Sequence, residues 1–354
     1  MEGAAPGLTG EALVALGERI DQMVTIDAAA RGVIGTLNKL SREVQTGPTC
    51  LKAAQLLLER VGPGDIVLIA TGWPDRPEID PEIAETDGPP GAVALARALH
   101  RGLRAVPVVL VEPALVGPMK AVLQAGDFRI MSSEQAVKAV GSRAKIHGAC
   151  VLPMPLDADE AKRQARALVA ELAPKAVVAV EKGGLNEAGR IHTSRGDDTT
   201  DTMAQADHLF RAAQAAGIAT IGIGDGGNEL GMGVIAEGIR EELPWGRVAR
   251  SGRGGIAPVF VTDVLVAAAI SNWGAYGISA ALAACLGAPE VFHTPEVEDR
   301  VLRVSGDAGF IDGISGWVCP GADGLEARFH SAFVALLGET VRQALMRAAT
   351  APKP

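Results

Sequence analysis

The sequence predicts an α/β protein whose mainly parallel sheet carries helices on both faces, and two observations support this. Short runs rich in Val, Ile and Ala alternate along the chain with longer stretches rich in Ala and Leu, an order typical of βαβ units. The short runs are almost continuously apolar, as expected of strands that are covered on both faces. Together these patterns indicate a doubly wound, Rossmann-like sheet.

The elements follow from these patterns in chain order. Residues 8–60 carry Leu and Val at three- and four-residue spacing, which predicts helices with a break at 41–49. Strands are expected at 65–71, 105–112, 148–154, 176–181, 219–225 and 259–264, and near Val301. Helices are expected at 91–102, 133–140, 157–172 and 202–216. We therefore expect a helical segment over residues 1–60, packed on one α/β domain over 61–350, with 351–354 disordered.

Composition narrows the possible functions. The formal net charge is −9 and no basic block occurs, so a nucleic-acid surface is not expected. The four cysteines are scattered without a CxxC pair, which indicates free thiols in a reducing compartment. The first 22 residues lack a basic region followed by an apolar core, and the apolar window at 261–286 is interrupted by polar residues. We therefore expect a cytoplasmic protein that binds no membrane, while its oligomeric state, a homo-oligomer included, stays open.

Glycine and polar residues follow several predicted strands, at the point where each strand ends. The first strand ends at Thr71-Gly72, another ends at Glu181-Lys182, and a third ends at Asp225. Ligands of open α/β sheets bind beyond the carboxyl ends of the strands. The sequence therefore predicts one crevice at this edge, suited to a small-molecule substrate.

The segment at residues 222–233 is the most informative of these strand ends. Its six glycines, Gly226 and Gly227 among them, surround Asp225, Asn228 and Glu229. The pattern matches the dinucleotide fingerprint formally, but both acids would face the pyrophosphate, so NAD is not expected. Two carboxylates beside an amide suit acid/base catalysis, cation binding or an amine-bearing ligand.

The segment Glu85-Thr86-Asp87-Gly-Pro-Pro-Gly precedes a predicted helix. Thr86 or Asp87 could cap that helix. In the functional interpretation, Glu85 and Asp87 instead lie at the lip of the crevice as acids. Both interpretations stay open at this point.

Two further segments supply candidate substrate contacts. Residues 181–198 concentrate charge, and Arg190 or Arg195 could hold a carboxylate in bidentate geometry, although a solvated loop would have the same composition. Ser271-Asn272-Trp273 interrupts an aliphatic run, so its polar groups need partners from the protein or from substrate. The predicted substrate-binding residues are Thr71, Gly72, Glu181, Lys182, Arg190, His192, Arg195, Gly226, Gly227, Asn228, Ser271, Asn272 and Trp273.

Several site types are not indicated. The six histidines show no HxxxH or HxH spacing, and neither GxSxG nor GxxxxGK[ST] occurs, which disfavours a His-based zinc site, a serine nucleophile elbow and a P-loop. No cofactor is certain. The acids Glu85, Asp87, Asp225 and Glu229 are candidate ligands for a divalent metal such as Mg²⁺ or Mn²⁺.

Three of these segments together resemble the D-glutamate cyclase family, in its C-terminal-type domain. They are residues 85–91, 220–233 and 271–274, which occur in the family's order, and the resemblance covers about residues 20–345. It implies a hydro-lyase that cyclises D-glutamate to 5-oxo-D-proline with loss of water. In the animal enzyme this domain follows a second, unrelated domain, whereas here we expect it as a stand-alone protein.

One loop departs from the family's pattern. The family usually carries Glu-Arg-x-Gly-Arg followed by an Asp-Gly-x-Tyr-like stretch, whereas residues 181–184 here are Glu-Lys-Gly-Gly and residues 189–193 are Gly-Arg-Ile-His-Thr. The substrate therefore stays open. A cyclic-amide or lactam hydrolase, which runs towards ring opening, and a small-molecule binding protein with the same cleft are the alternatives.

Lactam formation needs a deprotonated amine, an acid for the leaving oxygen, donors to the oxyanion and a folded substrate. The hypothesis from the sequence assigns these tasks to four sets of groups. They are Glu229 or Asp225 for the amine, Glu85 or Asp87 as the acid, Arg190 or Arg195 for the α-carboxylate, and Asn272 with loop N–H groups at the oxyanion.

Overall fold

A computed structural model describes residues 8–350 of the protein; the prediction for residues 351–354 lies outside this range. Seven parallel strands form one sheet in the order β3-β4-β2-β1-β5-β6-β7. The strands are β1 (Ile66–Thr71), β2 (Val106–Val111), β3 (Arg129–Ile130), β4 (Gly148–Pro153), β5 (Ala176–Val180), β6 (Ala219–Gly224) and β7 (Val264–Ala267). The predicted doubly wound α/β class is confirmed.

Helices cover both faces of the sheet. They are α1 (Gly10–Val24), α2 (Ile34–Val44), α3 (Thr49–Arg60), α4 (Pro89–Leu103), α5 (Val116–Ala125), α6 (Ser133–Gly141), α7 (Ala158–Leu172), α8 (Asp207–Ala215), α9 (Ala236–Glu242), α10 (Ser271–Leu286), α11 (Pro295–Asp307) and α12 (Ala327–Thr350). A small antiparallel pair, β8 (Gly321–Ala322) and β9 (Leu325–Glu326), precedes α12. No helix within residues 8–350 is both long and apolar enough to cross a membrane.

The chain reverses direction across the sheet at β1. From β1 it runs outward to β2, and it later returns to β5 on the other side of β1, where Thr71 pairs with Val180. Such a switch point leaves a crevice at the carboxyl ends of the strands. The fold therefore places the loops after β1, β5 and β6 around one crevice.

Helix α10 is buried on nearly every side and forms the centre of one helical layer. It packs against α4 and α3, and α1 also contacts it. Close packing requires small residues at the contacts, because a Cβ on Gly277 would lie 2.6 Å from the Sγ of Cys50. The helices of the N-terminal segment thus pack directly on the α/β layers.

Three predicted elements differ from the structure. Val301 lies inside α11 rather than in a strand, because Val297, Val301 and Val304 recur at helical spacing after Pro295. The strand expected at 259–264 begins only at Val264. The helix expected from residue 202 begins at Asp207. Around Val301 the apolar run is too short to separate strand from helix by periodicity, whereas the other two elements have the predicted type and a later start.

Candidate active site

A cavity of about 430 Å³ opens at the carboxyl edge of the sheet. Its wall carries three arginines, Arg31, Arg76 and Arg195, and the acids Glu85 and Asp323 are among its acidic lining residues. The other lining residues come mainly from residues 73–78, 193–199 and 313–314, together with Asn228. The cavity is therefore polar and carries both signs of charge.

Three buried carboxylates meet beneath this cavity. Asp87, Glu181 and Asp225 each contribute an oxygen, and these three atoms lie within 4.8 Å of one another. Asp87 lies in the loop after β1, while Glu181 and Asp225 directly follow β5 and β6. The parallel sheet thus brings residues that are far apart in sequence to one point, and this group could hold a metal ion.

Helices α4 and α10 cap each other beside the three carboxylates. The carboxylate of Asp87 accepts from the N–H groups of Ser271 (2.9 Å) and Asn272 (2.8 Å) at the start of α10. In return, the Oδ1 of Asn272 accepts from the N–H groups of Gly88 (3.0 Å) and Gly91 (2.6 Å) at the start of α4. Pro89 and Pro90 between these two residues have no N–H to offer.

This exchange corrects two predictions. The side chain of Asp87 caps α10 rather than α4, and the hydroxyl of Thr86 donates to the carbonyl of Ile311 (3.0 Å) instead of capping α4. The side-chain amide of Asn272 also donates one of its two N–H groups to the carbonyl of Thr86 (3.3 Å), and the residue is fully buried. The side chain is therefore engaged within the fold and does not line the cavity.

The glycine-rich loop closes on its own acid. The carboxylate of Glu229 accepts from the N–H groups of Gly226 (2.6 Å), Gly227 (2.9 Å) and Asn228 (3.1 Å). A side chain at Gly224 would place its Cβ 2.7 Å from the Cβ of Glu229, so only glycine fits there. In the structure these loop N–H groups already donate to Glu229, so they do not face the cavity as donors to an oxyanion.

Two charged residues of the site had not been predicted. The Nη1 of Arg31 donates to the Oδ2 of Asp225 (2.5 Å) and to Asp323. Arg31 comes from the loop between α1 and α2, and Asp323 from the turn between β8 and β9. Neither has a distinctive neighbourhood in the sequence, since Asp323-Gly324 signals only a turn.

Burial dominates the electrostatics of this centre. It raises the pKa of Asp87 to about 8 and, with Asp225 as the next cause, that of Glu229 to about 7. Burial also raises the pKa values of Glu85, Glu181 and Asp323 well above the ordinary range for carboxyls. So many crowded acids either keep protons near neutral pH or bind a cation.

Residues 20–338 match the model of the family described as D-glutamate cyclase-like, C-terminal. The chain belongs to this family. The human protein named D-glutamate cyclase, mitochondrial, is 29% identical over 264 residues, which are 74% of this chain and 38% of that protein. The present chain therefore matches only 38% of the length of that relative, while the resemblance carried by the three sequence segments is confirmed.

Several predicted contact residues of this cyclase-like chain lie away from the cavity. The fully buried Lys182 donates to the carbonyl of Gly72 (3.0 Å) and to Glu112, and burial lowers its pKa. Trp273 donates to the Nδ1 of His330 (3.1 Å) and stacks on Phe333 at 4.0 Å between ring centroids. These side chains hold elements of the fold together rather than line the cavity.

The charged loop after β5 divides in the same way. Arg190 lies 3.9 Å from Asp198 and 3.8 Å from Asp201, and the Nε2 of His192 lies 2.7 Å from the Oγ of Ser251. Neither residue lines the cavity, whereas Arg195 does. Of the predicted arginine pair, only Arg195 is placed to meet a ligand.

Two predicted residues lie at the floor beside the carboxylates. The hydroxyl of Ser271 donates to Glu181 (2.5 Å). The Oγ1 of Thr71 is buried without a hydrogen-bond partner among the described residues, and a Cβ on Gly88 would lie 2.8 Å from it. This buried hydroxyl therefore lies beside Gly88, in the loop that carries Asp87, without a hydrogen-bond partner among the described residues.

Proposed function

We propose that this chain is an enzyme that forms or opens a small cyclic amide, acting on D-glutamate and 5-oxo-D-proline or on a related amino acid and its lactam. The observation that supports it most is the pairing of a buried carboxylate centre with a polar cavity whose wall contains a free acid. Family membership supports a cyclase-like activity. The proposal includes a related substrate because the loop at residues 181–193 departs from the family's pattern.

The three carboxylates Asp87, Glu181 and Asp225 fit a divalent cation such as Mg²⁺ or Mn²⁺. Carboxylate and hydroxyl oxygens are the hard ligands that these ions prefer. The unpartnered hydroxyl of Thr71 lies near Glu181, because a Cβ on Gly88 would be 2.8 Å from Thr71 Oγ1 and 3.0 Å from Glu181 Cβ. A bound cation would stabilise negative charge developing on the reacting carbonyl oxygen. It would also offset the mutual repulsion of the buried carboxylates.

Glu85 is the acid best placed for proton transfer. Its carboxyl lines the cavity and has no hydrogen bond to any other described residue, whereas Asp87 is bound by two N–H groups of α10. Burial, with Asp87 as the next cause, raises the pKa of Glu85 well above its ordinary value. A protonated Glu85 can give its proton to the carboxyl oxygen that leaves as water when the amine nitrogen bonds to the carbon of the γ-carboxyl group.

Asp225 rather than Glu229 is the carboxylate we assign to the substrate amine. Both oxygens of Glu229 accept loop N–H groups, so this side chain shapes the loop. In the reverse direction, Glu85 as a carboxylate would take a proton from attacking water, and the same groups would open the ring. Lactam hydrolysis is therefore the second candidate activity.

The test uses metal-stripped protein and protein reconstituted with Mn²⁺ or Mg²⁺. Each is incubated with D- and L-glutamate, their lactams and several cyclic amides, and ring closure or opening is followed by chromatography. We expect turnover of at least one pair, lost in Asp225→Asn and kept in the exposed Asp201→Asn control. Tight binding without turnover would instead support a binding protein. The absence of both binding and turnover with every compound would refute the proposal.

A further inference from the structure

Arg31 lies at the inner end of the cavity, where it contacts the buried carboxylate centre. Its Nη1 bridges Asp225 and Asp323, both almost fully buried. The side chain of Arg31 itself keeps 21% of its surface exposed and lines the cavity. We propose that Arg31 binds the carboxylate of the substrate and thereby selects carboxylate-bearing amino acids or lactams.

The unused edge of the guanidinium makes this possible. Only Nη1 of Arg31 donates to a side chain of the described residues, whereas Nε and Nη2 make no such bond. Neither Nε nor Nη2 is a fully buried atom without a hydrogen-bond partner. These two nitrogens therefore keep some exposure, on a side chain that lines the cavity. Together they form the fork that binds a carboxylate through two parallel hydrogen bonds.

The position of Arg31 is fixed from both ends. Asp27 accepts from the backbone N–H groups of Arg31 (2.8 Å) and Gly32 (2.7 Å), which holds the loop between α1 and α2. The bonds to Asp225 and Asp323 fix the guanidinium plane at the other end. Little side-chain entropy is then lost when a ligand binds, which favours selective recognition.

The other two arginines of the cavity are less suited to this task. Arg195 is exposed at the surface, so water weakens its pairing with an anion. Arg76 already pairs with Asp75 and donates to the carbonyl of Gly313 (3.3 Å). Because the floor of the cavity is acidic, a ligand carboxylate is favoured at depth only beside Arg31.

This inference rests on the proposed function only for the class of ligand, and its test reads binding as well as turnover. The ligands are D- and L-5-oxoproline and the corresponding carboxamides, titrated calorimetrically against the full chain. We expect the wild-type protein to bind a 5-oxoproline at least tenfold more tightly than its carboxamide. Arg31→Lys, which keeps the charge but loses the fork, should reduce this preference about tenfold.

A matched control separates recognition from folding. Arg42 belongs to the same N-terminal segment and pairs with Glu18 and Asp21, yet it does not line the cavity. Arg42→Met should keep the full preference for the carboxylate. Arg31→Met leaves Asp225 and Asp323 without their cation, so it is informative only if its unfolding midpoint stays close to that of Arg31→Lys.

The outcomes distinguish this inference from the proposed function. Selective binding that depends on Arg31, with no turnover, would support the role of Arg31 and refute the enzyme. Turnover with an unchanged carboxylate preference in Arg31→Lys would refute the role of Arg31 alone. A wild-type protein with no preference for the carboxylate would also overturn it.

Discussion

The mutual capping of α4 and α10 predicts a large stability cost for one substitution, Asn272→Ala. The Oδ1 of Asn272 accepts from Gly88 and Gly91 inside a fully buried site. After truncation, Gly88 keeps a 3.1 Å contact with the Oδ1 of its neighbour Asp87, whereas the N–H of Gly91 loses its side-chain acceptor. One orphaned buried donor costs about 1–3 kcal/mol, and the small cavity adds about 1 kcal/mol.

The expected loss is therefore about 2–4 kcal/mol, a large part of the 5–15 kcal/mol typical of native proteins. Urea unfolding followed by circular dichroism measures it, provided that the slope with denaturant is unchanged. Ser279→Ala is the matched control, because Ser279 is equally buried on α10 and its hydroxyl only donates to the carbonyl of Ala275 (2.8 Å). Equal unfolding midpoints for the two variants would refute the argument that capping stabilises this junction.

Three further predictions concern the site and its supports. Glu85→Gln should lower turnover about 10²- to 10⁴-fold in steady-state assays without moving the unfolding midpoint. The control Glu82→Gln, at an exposed position, should keep the wild-type rate. Similar rates for the two variants would exclude Glu85 from proton transfer. Because burial raises the pKa of Asp87 to about 8, Mn²⁺ must displace a proton below that pH, so its affinity should rise from pH 6 to pH 9 in calorimetric titrations; a flat profile would contradict this. Lys182→Met leaves the buried Glu112 without its cation and should lower the free energy of unfolding by about 3–5 kcal/mol, measured by chemical unfolding. The double variant Lys182→Met/Glu112→Gln should recover much of this stability. No recovery would contradict a stabilising ion pair between Lys182 and Glu112.

Much of the sheet could be predicted because its strands are covered on both faces. The strands at 66–71, 106–111 and 219–224 lie within one residue of their predicted limits, since a continuous apolar run is bounded there by glycine or charged residues. Short elements carry too little pattern. Strand β3 has only two residues, and the apolar positions of α11 resemble a strand when only a few are considered.

The candidate site was predictable only where topology alone positions a residue. Asp87, Glu181 and Asp225 follow strands of a parallel sheet, so strand order brings them together. Arg31 reaches the site across 194 residues from Asp225, and it lies 292 residues from Asp323. No local pattern encodes such contacts, because they depend on how the N-terminal helices and the C-terminal turn pack on the sheet.

For a related reason, the sequence does not reveal that Glu229 and Asn272 bind backbone N–H groups. Both are polar residues in a ligand-binding region, where composition alone cannot separate a side chain that binds the backbone from one that binds substrate. The carboxylate of Glu229 accepts hydrogen bonds from N–H groups of its own glycine-rich loop. The two prolines after Gly88 leave the N–H of Gly91 as a donor that Asn272 must satisfy.

The exchange of caps between α4 and α10 has a consequence for how the family could diversify. Neither helix can shift without breaking the hydrogen bonds that cap the other, so the starts of α4 and α10 behave as one rigid unit. The rim, formed by residues 73–78, 193–199 and 313–314, takes no part in this exchange of caps. Under the proposed function, exchanging rim residues would change the substrate while the carboxylate centre keeps its geometry, and chimaeras that swap only the rim would test this.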